Sequence, residues 1–264
     1  MHGLQIERRG DEVWWTLDRP EVRNAIDDTL IATLRHQAQA LASDDTARVL
    51  VLAGAGPAFC AGADLAWMRR MRDYDEARNL ADAQAVADMF HAIAALPMPV
   101  LARVHGAALG GGAGLLAVSD LVIAADDVQV GFTEARVGIL PATIAPYVIR
   151  RIGLAAARAA FLRAHRMPAS EAHRLGLVDH VCPAAALDAV VRERLDELAL
   201  GAASSHRATK ALLARLAPLP DDEQRQLTAA AIARQRVSDD GQEGLRAFLD
   251  RRPPSWQPGD TGRA

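Results

Sequence analysis

Two stretches of this chain, FCAGADL (59–65) and HGAALGGGAGL (105–115), each join an apolar, strand-like run to a helix-like run through glycine. Junctions of that kind commit a chain to alternating strand and helix, because a buried run such as VLVLA (49–53) needs helices to cover it. They also expose the first backbone N–H groups of a helix, which have no partner inside it. One such start can hold an anion, and two facing each other can clamp a single developing oxyanion.

The rest of the chain follows the same alternation. Leu4 and Ile6, then Val13, Trp15 and Leu17, alternate as strands do. Asp27 or Asp28 can cap a helix carrying Leu30, Leu34, Ala38 and Leu41 on one face. Helical spacing predicts one long helix from Leu65 to about Ala95, ended by Pro97 and Pro99. Strands are predicted at 99–105, 120–125 and 177–181, with helices at 110–118 and 154–163. Beyond these the pattern is helical, over 184–200, 204–216, 223–237 and 243–251. Prolines at 218 and 220 break it, and the closing PPSWQPGDTGRA is expected to fray. The pattern therefore predicts an α/β core over 1–195 and a helical region over 196–264, whose apolar stripes pack on the core or on another subunit.

Charge and cysteine usage exclude several functions. A net charge of −3 offers no basic face for nucleic acid. Cys60 and Cys182 have no metal-ligand spacing, so no metal site is expected and a reduced compartment is. The start of the chain lacks the apolar core of a secretory signal, and no apolar run reaches membrane-spanning length. A soluble, cytoplasmic protein is the expectation.

Within the junctions, Asp64 can cap the helix that begins near Leu65, and Cys60 reads as a small buried apolar residue. Gly110, Gly111 and Gly112 remove every Cβ around a helix start, at about 0.5–1 kcal/mol each relative to alanine. Close approach of a ligand explains that cost better than a turn, which needs one glycine. The same stretch satisfies a dinucleotide-type GxGxxA pattern at 112–117 with Glu134 about 20 residues on, but that pattern leaves Gly110 and Gly111 unexplained. Glu134 itself lies among Phe132, Val137, Ile139 and Leu140. Burial there would raise its pKa toward the range useful for proton transfer, whereas a surface Glu134 would pair with Arg136. His105 reads as a packed structural residue, and without a GxSxG elbow a serine hydrolase finds no support.

In order and spacing, FCAGADL, HGAALGGGAGL, FTEARVGILPA (132–142) and EGLRAFLDRR (243–252) resemble the enoyl-CoA hydratase/isomerase (crotonase) superfamily. The resemblance runs from about Gln5 to Trp256. It implies a spiral of repeated ββα units, a helical C-terminal trimerisation region, and a homo-oligomer that is a trimer or a dimer of trimers. It implies an acyl-CoA substrate, and no cofactor beyond the coenzyme A carried by that substrate. By motif, the N–H groups of Ala61 and Gly111 would hold the thioester oxygen. Arg23 and Ala25 (in RNA, 23–25), together with Gly62, Ala63, Asp64, Leu65 and Gly114, would line the coenzyme A and acyl site. EGLRAFLDRR corresponds to a segment that reaches a neighbouring subunit's nucleotide in many members, and Lys210 is a weaker candidate for phosphate.

The chain also departs from the family pattern. Two-glutamate hydratases carry one Glu at the position of Gly114 and another at that of Glu134, so one carboxylate is missing here. The usual PGGGGTQRL run is replaced by PATIAPYVIRRIG (141–153). Gly114, TEAR, PATIAPYV and ADLAWMRRM (63–71) are similar to bacterial 3-methylglutaconyl-CoA hydratases and their isohexenylglutaconyl-CoA relatives. The expectation is a hydratase for a branched glutaconyl-type thioester in which Glu134 carries both proton transfers, alone or with help from the substrate's distal carboxylate, and the room at Gly114 admits bulky substrate. Enoyl-CoA isomerisation and a non-catalytic acyl-CoA-binding role are the alternatives.

Overall fold

The computed structural model describes residues 2–216 and 222–254. The proline break at 218–220 and all but the first two residues of the closing PPSWQPGDTGRA lie outside them.

A six-stranded sheet forms the core. It is built from β1 (Leu4–Arg9), β2 (Glu12–Leu17), β3 (Val49–Gly54), β4 (Val100–Val104), β6 (Leu121–Ala125) and β9 (His180–Cys182), in that spatial order. β1 and β2 make an antiparallel hairpin from Leu4↔Leu17 to Arg9↔Glu12, and every later pairing is parallel. The parallel strands are buried along nearly their whole length, which is why VLVLA reads as an unbroken apolar run. A second sheet of three short strands, β5 (Ala107–Leu109), β7 (Gln129–Gly131) and β8 (Arg166–Pro168), lies beside the glycine junctions. The mixed α/β architecture with a helical C-terminal region agrees with the spiral implied by the family resemblance.

Among the helices, α1 (Asp28–Ala42) starts at Asp27, whose carboxylate accepts from Leu30 N. The predicted 65–95 helix is two helices, α2 (Leu65–Arg72) and α3 (Glu76–Ala94). Asp75 caps the second through Arg78 N, and Asn79 Nδ2 donates to the Tyr74 and Asp75 carbonyls, so the local polar groups compete with helix continuation. α4 (Gly111–Val118) follows the second junction. The alanine-rich helix extends further than predicted: α5 (Ala145–Arg163) begins nine residues earlier and turns at Gly153, whose φ of 76° interrupts it. α6 (Ala169–Arg174) precedes β9, which replaces the strand predicted at 177–181. There Arg151 holds the turn by donating to Leu177 O (3.1 Å) and pairing with Asp179.

The C-terminal helices are α7 (Leu187–Ala199), α8 (Ala203–Leu216), α9 (Asp222–Val237) and α10 (Asp239–Leu249). α9 packs along α3, and α10 packs on α2 and on the short 3-10 turn at Glu134–Val137. No helix among the described residues is long and apolar enough to cross a membrane.

Candidate active site

The two glycine junctions are stitched together by backbone. Cys60 N donates to Ala107 O and Leu109 N donates to Cys60 O, both at 3.0 Å, while Gly110 N donates to Gly131 O at 2.8 Å. These bonds set the first junction against the second and bring the segment after β7, with Glu134, to the same place. A Cβ added to Gly110 would lie 3.4 Å from Glu134 Oε1 and 3.8 Å from Gly62 Cα. Gly62 and Gly110 both have positive φ, 99° and 51°, so each needs glycine for its conformation as well as for this approach.

A cavity of about 170 Å³ opens at that meeting point. Ala61, Gly62, Ala63, Gly110, Gly111, Thr133 and Glu134 line one part of it. Apolar side chains line the rest, among them Trp67, Phe90, Ile144, Ile232 and Phe248, with Arg236 in their midst. The C-terminal helices thus close the cavity of their own chain. Gly244 permits this, because a Cβ there would stand 2.1 Å from Val137 O, and Gln235 Nε2 adds a bond to Gly138 O at 2.7 Å.

The amides of the first junction are distributed unequally. The Ala61 N–H, expected to hold the thioester oxygen, donates to Arg23 O at 3.0 Å. The Gly62 N–H acts on the Cys60 sulfur, lowering its pKa against the larger effect of burial, and Asp64 N donates to Ile26 O at 2.9 Å. Ala63 N has no partner among the described residues. The expectation for Ala61 is therefore corrected: its amide is already engaged, and the free N–H belongs to Ala63 two residues on. In the second junction, Gly111 N opens α4 and likewise has no partner among the described residues, as helix geometry requires.

Glu134 is the one carboxylate among the described residues that line the cavity. Its Oε2 is sealed from solvent and has no hydrogen-bond partner among the described residues, and burial pushes its pKa up from 4.5 to about 7. Arg136, its alternative partner, is exposed. The Cys60 thiol is buried and pushed up to about 12, which keeps it protonated. His105 Nε2 donates to Gly56 O at 2.8 Å and its Nδ1 accepts from Arg103 Nη1 at 3.4 Å, a structural role, as expected.

Other expected site residues sit apart from the cavity. Gly114 is buried beneath it, and a Cβ there would meet Ile144 Cγ2 at 2.4 Å and the Phe90 ring at 2.9 Å. The room left by the missing second glutamate is thus filled by protein, against the expectation that substrate would use it. Asp64 caps α2 through Ala66 N and Trp67 N and pairs with Arg19 at 2.9 Å. Arg23 supplies its carbonyl to Ala61, Ala25 is buried with its carbonyl on Arg19 Nη1, and Leu65 is exposed at the start of α2. Lys210 is tied to Met98 O at 2.9 Å and to Asp120. Phe90 and Arg236 are lining residues that the motifs did not single out, whereas Ile144 belongs to PATIAPYV. Arg236 had one sequence signal, a charge on the apolar stripe of Ala229, Ile232 and Ala233 at helical spacing.

Free amides beside a desolvated carboxylate suit an enzyme that moves a proton next to a carbonyl gathering negative charge. The enoyl-CoA hydratase/isomerase family profile matches residues 13–259, and the chain belongs to that family. It is 31% identical to the 2,3-dehydroadipyl-CoA hydratase of Escherichia coli K12, over 97% of this chain and 99% of that one. It is 34% identical to the enoyl-CoA isomerase/hydratase fer4 of Mycosarcoma maydis, over 90% of this chain and 89% of that one. Among solved structures, AtuE of Pseudomonas aeruginosa superposes with a TM-score of 0.79 at 39% identity, covering 97% of this chain and 99% of that one. The protein is an enzyme of the enoyl-CoA hydratase type.

Proposed function

We propose that this enzyme adds water to an α,β-unsaturated acyl-CoA thioester of the branched glutaconyl type, with Glu134 as its one acid–base group. The observation that carries the reading is the placement of a desolvated Glu134 beside the Gly110–Gly111 helix start and the unpartnered Ala63 amide. In this mechanism Glu134 takes a proton from water as the water oxygen bonds to Cβ. The alkene electrons move to the thioester oxygen, which the Ala63 and Gly111 N–H groups hold as an enolate. The enolate then collapses, Glu134 returns the proton to Cα, and the net change is addition of one water. The E. coli relative is named for a substrate whose acyl chain ends in a carboxylate, which supports a carboxylated thioester here.

Within this reading no cofactor is needed beyond the coenzyme A of the substrate, whose nucleotide end would lie near 23–25 and 63–65. The chain would work in the cytoplasm as a trimer or dimer of trimers through its 196–264 region, a view supported by exposed Leu212 and Leu213 on α8. Isomerisation is the second reading, favoured by the single carboxylate and by the double name of fer4.

A turnover panel of short, branched and carboxylated enoyl-CoAs, followed by loss of the conjugated thioester absorbance, tests the proposal. Wild type should incorporate solvent oxygen into product, and Glu134→Gln should lower kcat by about 10³-fold. Near-wild-type hydration by Glu134→Gln rejects the mechanism, turnover without labelled oxygen establishes isomerisation, and tight binding without turnover establishes a non-catalytic role.

A further inference from the structure

Arg236 is the one cation among the described residues that line the acyl cavity, and its hydrogen bonding is incomplete. It is 7% exposed, on α9, over the Trp67 ring at 5.8 Å. Its Nη1 donates to Asp82 Oδ2 at 3.0 Å, yet its Nε is sealed from solvent and has no partner among the described residues. Asp82 meets the guanidinium through one oxygen, and its other oxygen accepts from Trp67 Nε1 at 3.2 Å. A charged group with a single carboxylate partner in a water-excluded site is costly, so the part of the guanidinium that lines the cavity favours an acceptor entering there.

The same molecule shows what completes such a fork. Arg19, half-buried, is flanked by two carboxylates, Asp27 at 3.0 Å on Nη1 and Asp64 at 2.9 Å on Nη2. Arg236 has the first of two such partners and lacks the second. The geometry points to a carboxylate on the substrate's acyl group as that second partner: Arg236 selects enoyl-CoA thioesters whose acyl chain carries a carboxylate over chains of equal length ending in methyl. A planar guanidinium suits the task, since it can hold two carboxylates in fixed directions. An apolar acyl group fills the cavity equally well but leaves the guanidinium with Asp82 as its one carboxylate, and a site built around a polar partner discriminates strongly against the analogue that lacks it. This selection rests on the acyl-CoA reading above, and it assigns the substrate class to a residue outside the glycine motifs and away from Glu134.

The test compares 3-methylglutaconyl-CoA with 3-methyl-2-pentenoyl-CoA, which share a chain length and differ in carboxylate against methyl. Wild type is expected to favour the carboxylated thioester by about 10²-fold in kcat/KM. In Arg236→Met combined with Asp82→Asn, which leaves no buried unpaired carboxylate, that ratio should fall to within a few fold of one. Arg236→Lys should recover part of it. A wild-type ratio near one, or a ratio that persists in the double variant, overturns the assignment. Saturated glutaryl-CoA and pentanoyl-CoA give an independent binding readout, with the same preference expected in their dissociation constants. If neither unsaturated thioester is turned over but glutaryl-CoA still binds preferentially through Arg236, the hydratase reading fails and the assignment stands. If both are hydrated without preference, the reverse holds.

Discussion

The two glycine junctions look alike in sequence but leave an amide free for different reasons. At the first, the chain pairs off the N–H groups of Ala61 and Asp64 with the carbonyls of Arg23 and Ile26, the Gly62 N–H acts on the Cys60 sulfur, and what remains is Ala63. At the second, the amide of Gly111 is free because it begins a helix, where no earlier carbonyl can reach it. One site is made by subtraction and the other by geometry. Glycine content alone therefore does not identify the working amide.

Deleting single amides breaks or sharpens that comparison most directly. An amide-to-ester replacement at position 63 should lower kcat by about 10²–10³-fold, or about 2.7–4 kcal/mol of transition-state stabilisation. The same replacement at position 61 removes the bond to Arg23 O, so it should lower unfolding free energy by about 1 kcal/mol with a much smaller effect on kcat. If position 61 proves the more damaging to catalysis, the assignment by subtraction is wrong.

Glu134, which both junctions face, supplies a pH test. Its pKa is raised from 4.5 unfolded to about 7 folded. A carboxyl raised in this way favours the folded state at low pH, and that advantage is lost as pH climbs through the window between 4.5 and about 7. Wild type should therefore weaken relative to Glu134→Gln between pH 5 and pH 8, by at most on the order of 3 kcal/mol, in denaturant melts at each pH. Because hydration needs the ionised form, kcat/KM should rise with pH and level off above an apparent pKa near 7. A flat profile over that range would contradict a general-base role.

The floor of the second junction gives a smaller effect. Gly114→Glu places a side chain against Ile144 and the Phe90 ring, so it should destabilise by about 1–3 kcal/mol from overpacking alone and should not raise hydration. Increased turnover in that variant would mean the pocket retains the room its glutamate-bearing relatives use. The smallest effect is expected at Lys210, whose ammonium is held by Met98 O and Asp120. Lys210→Gln should change unfolding free energy by less than about 1 kcal/mol and leave the KM for acyl-CoA within about two-fold. A tenfold rise in KM would restore its expected phosphate contact.

Much of this was legible in the residues. The apolar runs of β3, β4 and β6 announce buried parallel strands, and Asp27 and Asp64 cap the helices they precede. Glu134 could be flagged from its apolar neighbours. The division of 65–94 into α2 and α3 was not legible, because helical periodicity continues across Asp73–Asp75 and the side-chain caps there decide the matter. The choice between Ala61 and Ala63 was equally hidden, since both are small residues flanking one glycine.

What the sequence determines by itself is local: which runs are strands, where helices start, which glycines must take left-handed conformations, and that one of two possible carboxylates is absent. Tertiary structure decides what those pieces face. Arg23, Ile26 and Ala61–Asp64 are far apart along the chain, as are Gly114, Phe90 and Ile144, or Asp82 and Arg236. Hydrogen-bond partners, filled space and desolvation are properties of neighbours in three dimensions. They set which amide is free, whether a vacated side-chain position is open, and how strongly a buried charge calls for a partner.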